Sequence, residues 1–161
     1  MATISELLAS SLAALKQVQQ NGDCTVVKSS ELSPTHLKRL LANHFLMPVI
    51  KGWYIVTDPR TETGDSTAWY ASFWNFIRRY ATERYGKEWC LSAEQSLAIY
   101  SGSTTVPRQV LIRSPKGSNN SLELLPPTSL FNLEAALPSR IDTDNPYRLN
   151  LYPVSYTHLT L

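Results

Sequence analysis

Thr35, His36, Lys38 and Arg39 crowd into the run S-P-T-H-L-K-R-L-L-A-N-H at 33–44, with Lys28 and Lys51 on either side. All are hydrogen-bond donors or cations, and no carboxylate lies within that run. Ammonium and guanidinium groups neutralise phosphate oxygens, and side chains near a helix start can reach base edges. From Lys28 to Lys51 four cations face Glu31 alone, a local excess of three, whereas the whole chain carries only +2. A face that binds a polyanion needs local rather than global charge. The pattern assigns Thr35, His36 and Arg39 to base contacts and Lys28, Lys38 and Lys51 to phosphate contacts, with duplex DNA as the partner. The plainer alternative is a solvated helix face.

Other chemistry is sparse. Arg113 and Lys116 flank the turn R-S-P-K-G and could hold an anion against turn amides, or form an ordinary charged loop. His36 and His44 are eight residues apart with no acid or thiol beside them, so no metal site is expected. Cys24 and Cys90 show no C-x-x-C spacing and read as small apolar residues of a reducing compartment. There is no phosphate-cradling P-loop, no G-x-G-x-x-G and no G-x-S-x-G, so no catalytic residue and no cofactor is assigned.

These side chains need elements to hold them. Ser33 is placed to cap a helix, and Pro34 at its first position lacks only an amide that would be unpaired anyway. Leu37, Leu40 and Leu41 then share one face. Two apolar runs, Phe45 to Ile50 and Trp53 to Val56, are split by Lys51-Gly52 and predict a hairpin. Upstream, Ile4, Leu7, Leu8, Leu12, Leu15 and Val18 predict an amphipathic helix ending at Asn21-Gly22. A short extended piece follows at 25–27, then a short helix or turn at 29–32. Helix, short helix, helix and hairpin in that order predict a winged helix-turn-helix over residues 1–57.

Residues 58–64 form a polar break, read as a linker. Residues 65–153 predict a small α+β domain. Its parts are a helix from Thr67 to about Tyr85 with a stripe of Trp69, Phe73, Phe76, Ile77 and Tyr80, and a Ser92-capped helix to about Tyr100. Strands at Gln109–Arg113 and Leu122–Leu125, expected to form a hairpin through the turn-rich loop Ser114–Asn120, follow, then a helical or irregular piece at Ser129–Leu137 and a strand at Arg148–Tyr152. The 161 residues, 43% apolar, can bury a core, and no apolar run approaches the ~18 residues of a membrane span. With no secretory signal in M-A-T-I-S-E-L-L, a cytoplasmic location is expected.

Several motifs resemble the N-terminal region of bacterial Fic-family proteins: K-G-W-Y-I at 51–55, G-D-S-T-A-W-Y-A-S-F-W at 64–74, W-C-L-S-A-E-Q-S-L at 89–97, V-P-R-Q-V at 106–110 and R-S-P-K-G at 113–117. The resemblance extends to about Pro138. The architecture is also similar to AbiEi-type antitoxins of type IV toxin–antitoxin systems, which join a winged helix to a small α/β domain. The Fic resemblance implies a longer protein that transfers AMP from ATP to a target hydroxyl. The catalytic loop it implies, H-P-F-x-x-G-N-G-R, is absent, since Leu37 follows His36 and Phe45 follows His44. The inhibitory pattern is absent too, because none of the eight Glu residues precedes Gly or Asn. This chain is therefore expected to be a non-enzymatic, DNA-binding regulatory region whose partner is a C-terminal Fic domain. Two other functions fit: an antitoxin that represses its own operon and partners a cognate toxin, or a protein-interaction module.

Residues 154–161, V-S-Y-T-H-L-T-L, match the translation of a transposase adapter from sequencing libraries, GTC-TCT-TAT-ACA-CAT-CTG-ACG-CTG. They are expected to be a non-native tail on a truncated chain, so Tyr156 and His158 carry no function.

Overall fold

The computed structural model describes residues 1–22 and 25–137. The expected strand at 148–152 and the tail at 154–161 lie outside them. The chain is mixed α+β with two sheets and divides into two compact units, Met1–Ile77 and a second beginning at Arg78. The division falls inside a helix rather than in the polar break at 58–64, because aromatic residues of that helix pack with the first unit.

In the first unit, α1 (Ile4–Asn21) starts at a capping box: Glu6 N donates to Thr3 Oγ1 and Thr3 N to the Glu6 carboxylate. β1 (Val26–Lys28) leads into a 3-10 turn, Ser29–Glu31, closed by the Glu31 carboxylate accepting from Lys28 N at 2.7 Å. α2 (Pro34–Ala42) is capped by Ser33, whose hydroxyl accepts from His36 N. Such a cap contributes about 1 kcal/mol.

β2 (Leu46–Ile50) and β3 (Trp53–Val56) form an antiparallel hairpin around Lys51-Gly52. Gly52 takes φ +82°, a left-handed turn conformation that costs glycine little. The sheet order is β1-β3-β2, so Pro48, which has no amide to donate, sits on an edge strand. Leu15, Val27, Leu32, Leu40 and Leu46 form the core between the helices and this sheet. The apolar stripe of α1 is covered only in part: Leu15 is buried, but Ile4 is 87% exposed.

α3 (Thr67–Tyr85) begins where the Asp65 carboxylate accepts from Thr67 N at 2.8 Å. Trp69, Phe73 and Phe76 are fully buried and pack edge-to-face, with Phe76 against Trp53 of β3 at 5.7 Å.

The second unit carries the end of α3, β4 (Cys90–Leu91), α4 (Ala93–Tyr100), β5 (Gln109–Ser114), β6 (Asn120–Glu123) and β7 (Ser129–Glu134). Its sheet order is β4-β5-β7-β6, with β7 parallel to β5 and antiparallel to β6. The expected helical or irregular piece at 129–137 is thus corrected: residues 129–134 are a central strand, and because it lies between β5 and β6 these two do not form the expected hairpin. Gly117 lies so close to the Leu133 carbonyl that a β-carbon there would collide with it. No helix among the described residues is long and apolar enough to cross a membrane.

Candidate nucleic-acid interface

α2 presents two faces. Leu40 is fully buried, and Leu37 and Leu41 pack against the core. On the opposite side Pro34, Thr35, Lys38 and Ala42 are exposed and, with Arg39, line one shallow recess of about 540 Å³. Positions 35, 38 and 42 repeat at helical spacing, so they form a single stripe.

His36 and Arg39 do not stand on that stripe as the sequence pattern assigned them. Both are half-buried and turn toward α1. Arg39 Nη1 donates to Ser11 Oγ at 2.8 Å and to the Leu7 carbonyl at 3.1 Å. His36 Nδ1 lies 2.9 Å from the same Ser11 hydroxyl. The physical reason is Ser11 itself, a fully buried polar group that requires partners and finds them on α2. Ser11 also donates to the Leu7 carbonyl at 3.1 Å. Sequence reasoning missed this residue. The signal was present, since position 11 interrupts the apolar stripe between Leu7 and Leu15.

The flanking cations sit on the sheet. Lys51 is exposed at the hairpin tip. Lys28 ends β1, opposite Trp53 in register, with its ammonium 5.2 Å from the Trp53 ring centroid. That cation–π contact holds the ammonium beside the turn end of the hairpin, where Trp53 follows Lys51-Gly52. Trp53 is buried and edge-on to Phe76, which makes it core rather than a stacking platform.

At the other end of α2 the lining changes sign. A cavity of about 610 Å³ is bounded by Leu41, His44 and Met47 together with Asp58, Glu62 and Asp65. Asp58 is clamped by Arg60, whose Nη2 donates to it at 2.6 Å, and these bonds hold its carboxyl down to about 2. Hydrogen bonds from Thr67 likewise lower Asp65.

Arg113 and Lys116 are not gathered into an anion site. Lys116 pairs with Glu88 at 2.5 Å. Arg113 faces Cys90 across the β4–β5 ladder and donates to the Ala136 carbonyl at 3.2 Å. The Cys90 thiol is buried, and burial raises its pKa while the Arg113 charge draws it partly back. Among the described residues no three His, Cys, Asp or Glu side chains cluster as metal ligands. No family model matches the sequence, and neither a curated protein nor a solved structure matches it.

Proposed function

We propose that the Met1–Ile77 unit contains a winged helix-turn-helix and that it binds duplex DNA, with α2 as the recognition helix and the β2–β3 hairpin as the wing. The observation that carries this proposal is the exposed Thr35–Lys38–Ala42 stripe, followed directly by a hairpin with Lys51 at its tip. The order helix, strand, short helix, helix, hairpin and the β1-β3-β2 sheet support it. Lys28 and Lys51, which come together at the hairpin turn, are assigned to phosphates beside the groove that receives α2.

In keeping with the motifs at 51–55, 64–74 and 89–97, the chain acts as the DNA-binding regulatory region of a longer Fic-type AMP transferase, and no catalytic step falls to it. An uninterrupted reading of the gene tests this assignment: H-P-F-x-x-G-N-G-R should follow downstream. A gene that ends without that motif beside a nucleotidyltransferase-like toxin gene would favour the autorepressing antitoxin.

DNA binding is tested by fluorescence anisotropy on a mixed-sequence duplex across a salt series. Affinity should fall steeply with salt, by about 0.9 in log–log slope per phosphate neutralised. The Lys38→Ala, Lys51→Ala double variant should bind more weakly while melting like the parent. Unchanged affinity would remove this face from the interface.

A further inference from the structure

Arg39 lines the recess with its Nη1 committed to α1, and His36 also turns to α1, which leaves a few exposed side chains to meet a groove. From the N-terminal end of α2 these are the Thr35 hydroxyl and methyl, the Lys38 ammonium and the Ala42 methyl, all exposed on one recess. Thr35 and Ala42 are seven residues apart, so at 1.5 Å per residue they span roughly 10.5 Å, or about three base-pair steps of 3.4 Å. Methyl groups at both ends of such a stripe match the C5 methyl of thymine, the one apolar feature of the major groove. An ammonium between them matches guanine, which offers N7 and O6 as adjacent acceptors.

Resting on the assignment of DNA binding to α2, we propose that the helix reads a short major-groove element in which a guanine contacted by Lys38 lies between thymine methyls contacted by Thr35 and Ala42. Lys38 is then a specificity-determining residue rather than a phosphate anchor, and sequence choice does not depend on Arg39. The occupant is a duplex rather than a protein because the recess is lined by two cations, Lys38 and Arg39, and by no carboxylate.

The test uses the full chain. Selection from a duplex library with a randomised centre, at fixed salt, should return a core of about three base pairs with guanine in the middle. On the selected duplex, dT→dU replacement deletes only the methyl and should weaken binding about tenfold. Replacing guanine by 7-deazaguanine removes N7 and should also cost about tenfold. Lys38→Met should erase the preference at the guanine position, and Thr35→Ser, which keeps the hydroxyl, should erase the dT-over-dU preference at one end.

Salt-dependent binding with no base preference, or a preference that survives Lys38→Met and Thr35→Ser, would overturn the proposed readout and leave DNA binding intact. Retention of no duplex at any salt would overturn both, and capture of a protein on the stripe would count against both. Circular dichroism melts of each variant separate lost contacts from lost folding.

Discussion

The guanidinium of Arg39 and the buried hydroxyl of Ser11 form a 2.8 Å hydrogen bond that ties α2 to α1. Because Ser11 is fully buried and also meets His36, its hydroxyl acts as a hub between the two helices. Ser11→Ala should therefore destabilise the chain by about 1.5–3 kcal/mol, the usual range for a bond to a charged donor. Arg39→Ala should cost a similar amount, and the double variant little more than either alone. Urea unfolding of the four proteins measures the coupling. Strictly additive losses would show that the two side chains do not depend on each other. Arg39→Ala should leave any base preference unchanged while lowering the midpoint.

A second buried bond secures the other unit. The Tyr85 hydroxyl donates to Asn132 Oδ1 at 2.8 Å, and Asn132 Nδ2 in turn donates to Asn120 Oδ1 at 3.2 Å. Tyr85→Phe keeps the ring and strands a buried carbonyl oxygen, a loss of about 1–3 kcal/mol. Asn132→Asp would place a carboxylate against that hydroxyl in a buried site and should be tolerated worse at neutral pH than at acid pH. Thermal melts at two pH values test both substitutions. An Asn132→Asp protein equally stable at both would refute the burial of this group.

The pH dependence of the Asp58–Arg60 pair has a definite sign. The Arg60 hydrogen bonds lower the Asp58 carboxyl from 3.8 to about 2. A depressed acid stabilises the fold above its unfolded pKa, and the contribution disappears as pH falls from about 4 toward 2. The pair is solvent-exposed, so the effect on global stability is small. The direct measurement is an NMR titration of the Asp58 carboxyl carbon. Its midpoint should lie below the ordinary aspartate range and return to that range in Arg60→Gln. An ordinary midpoint in the parent would contradict the clamp.

Most of the elements were legible where periodicity and caps agree. Ser33-Pro34 and the spacing of Leu37, Leu40 and Leu41 mark α2, and Lys51-Gly52 between apolar runs marks the hairpin. β7 was hidden for a physical reason. Its two inward positions are Leu130 and Asn132, and a buried asparagine breaks the apolar alternation that identifies a strand. The partner that makes Asn132 acceptable, Tyr85, is 47 residues away. The same holds for the recognition face. Spacing placed Thr35 and Lys38 outward, as they are, but only the position of Ser11 on a different helix decides that Arg39 and His36 turn inward.

The strand order β5-β7-β6 has a consequence for how the chain is built. β5 and β6 are made first and are joined by a short connection, yet neither is the other's neighbour in the sheet. β7, synthesised last of the three, occupies the space between them and supplies the hydrogen-bonding partners of both. As the chain leaves the ribosome, β5 can pair with β4, but its other edge and β6 must wait for β7. Ribosome-bound chains arrested before residue 129 should therefore hold at most the β4–β5 pair of this sheet, and the pairing of β5 and β6 to β7 should begin only after residue 134 has emerged, which makes the span from 109 to 128 the segment most in need of protection from aggregation during synthesis.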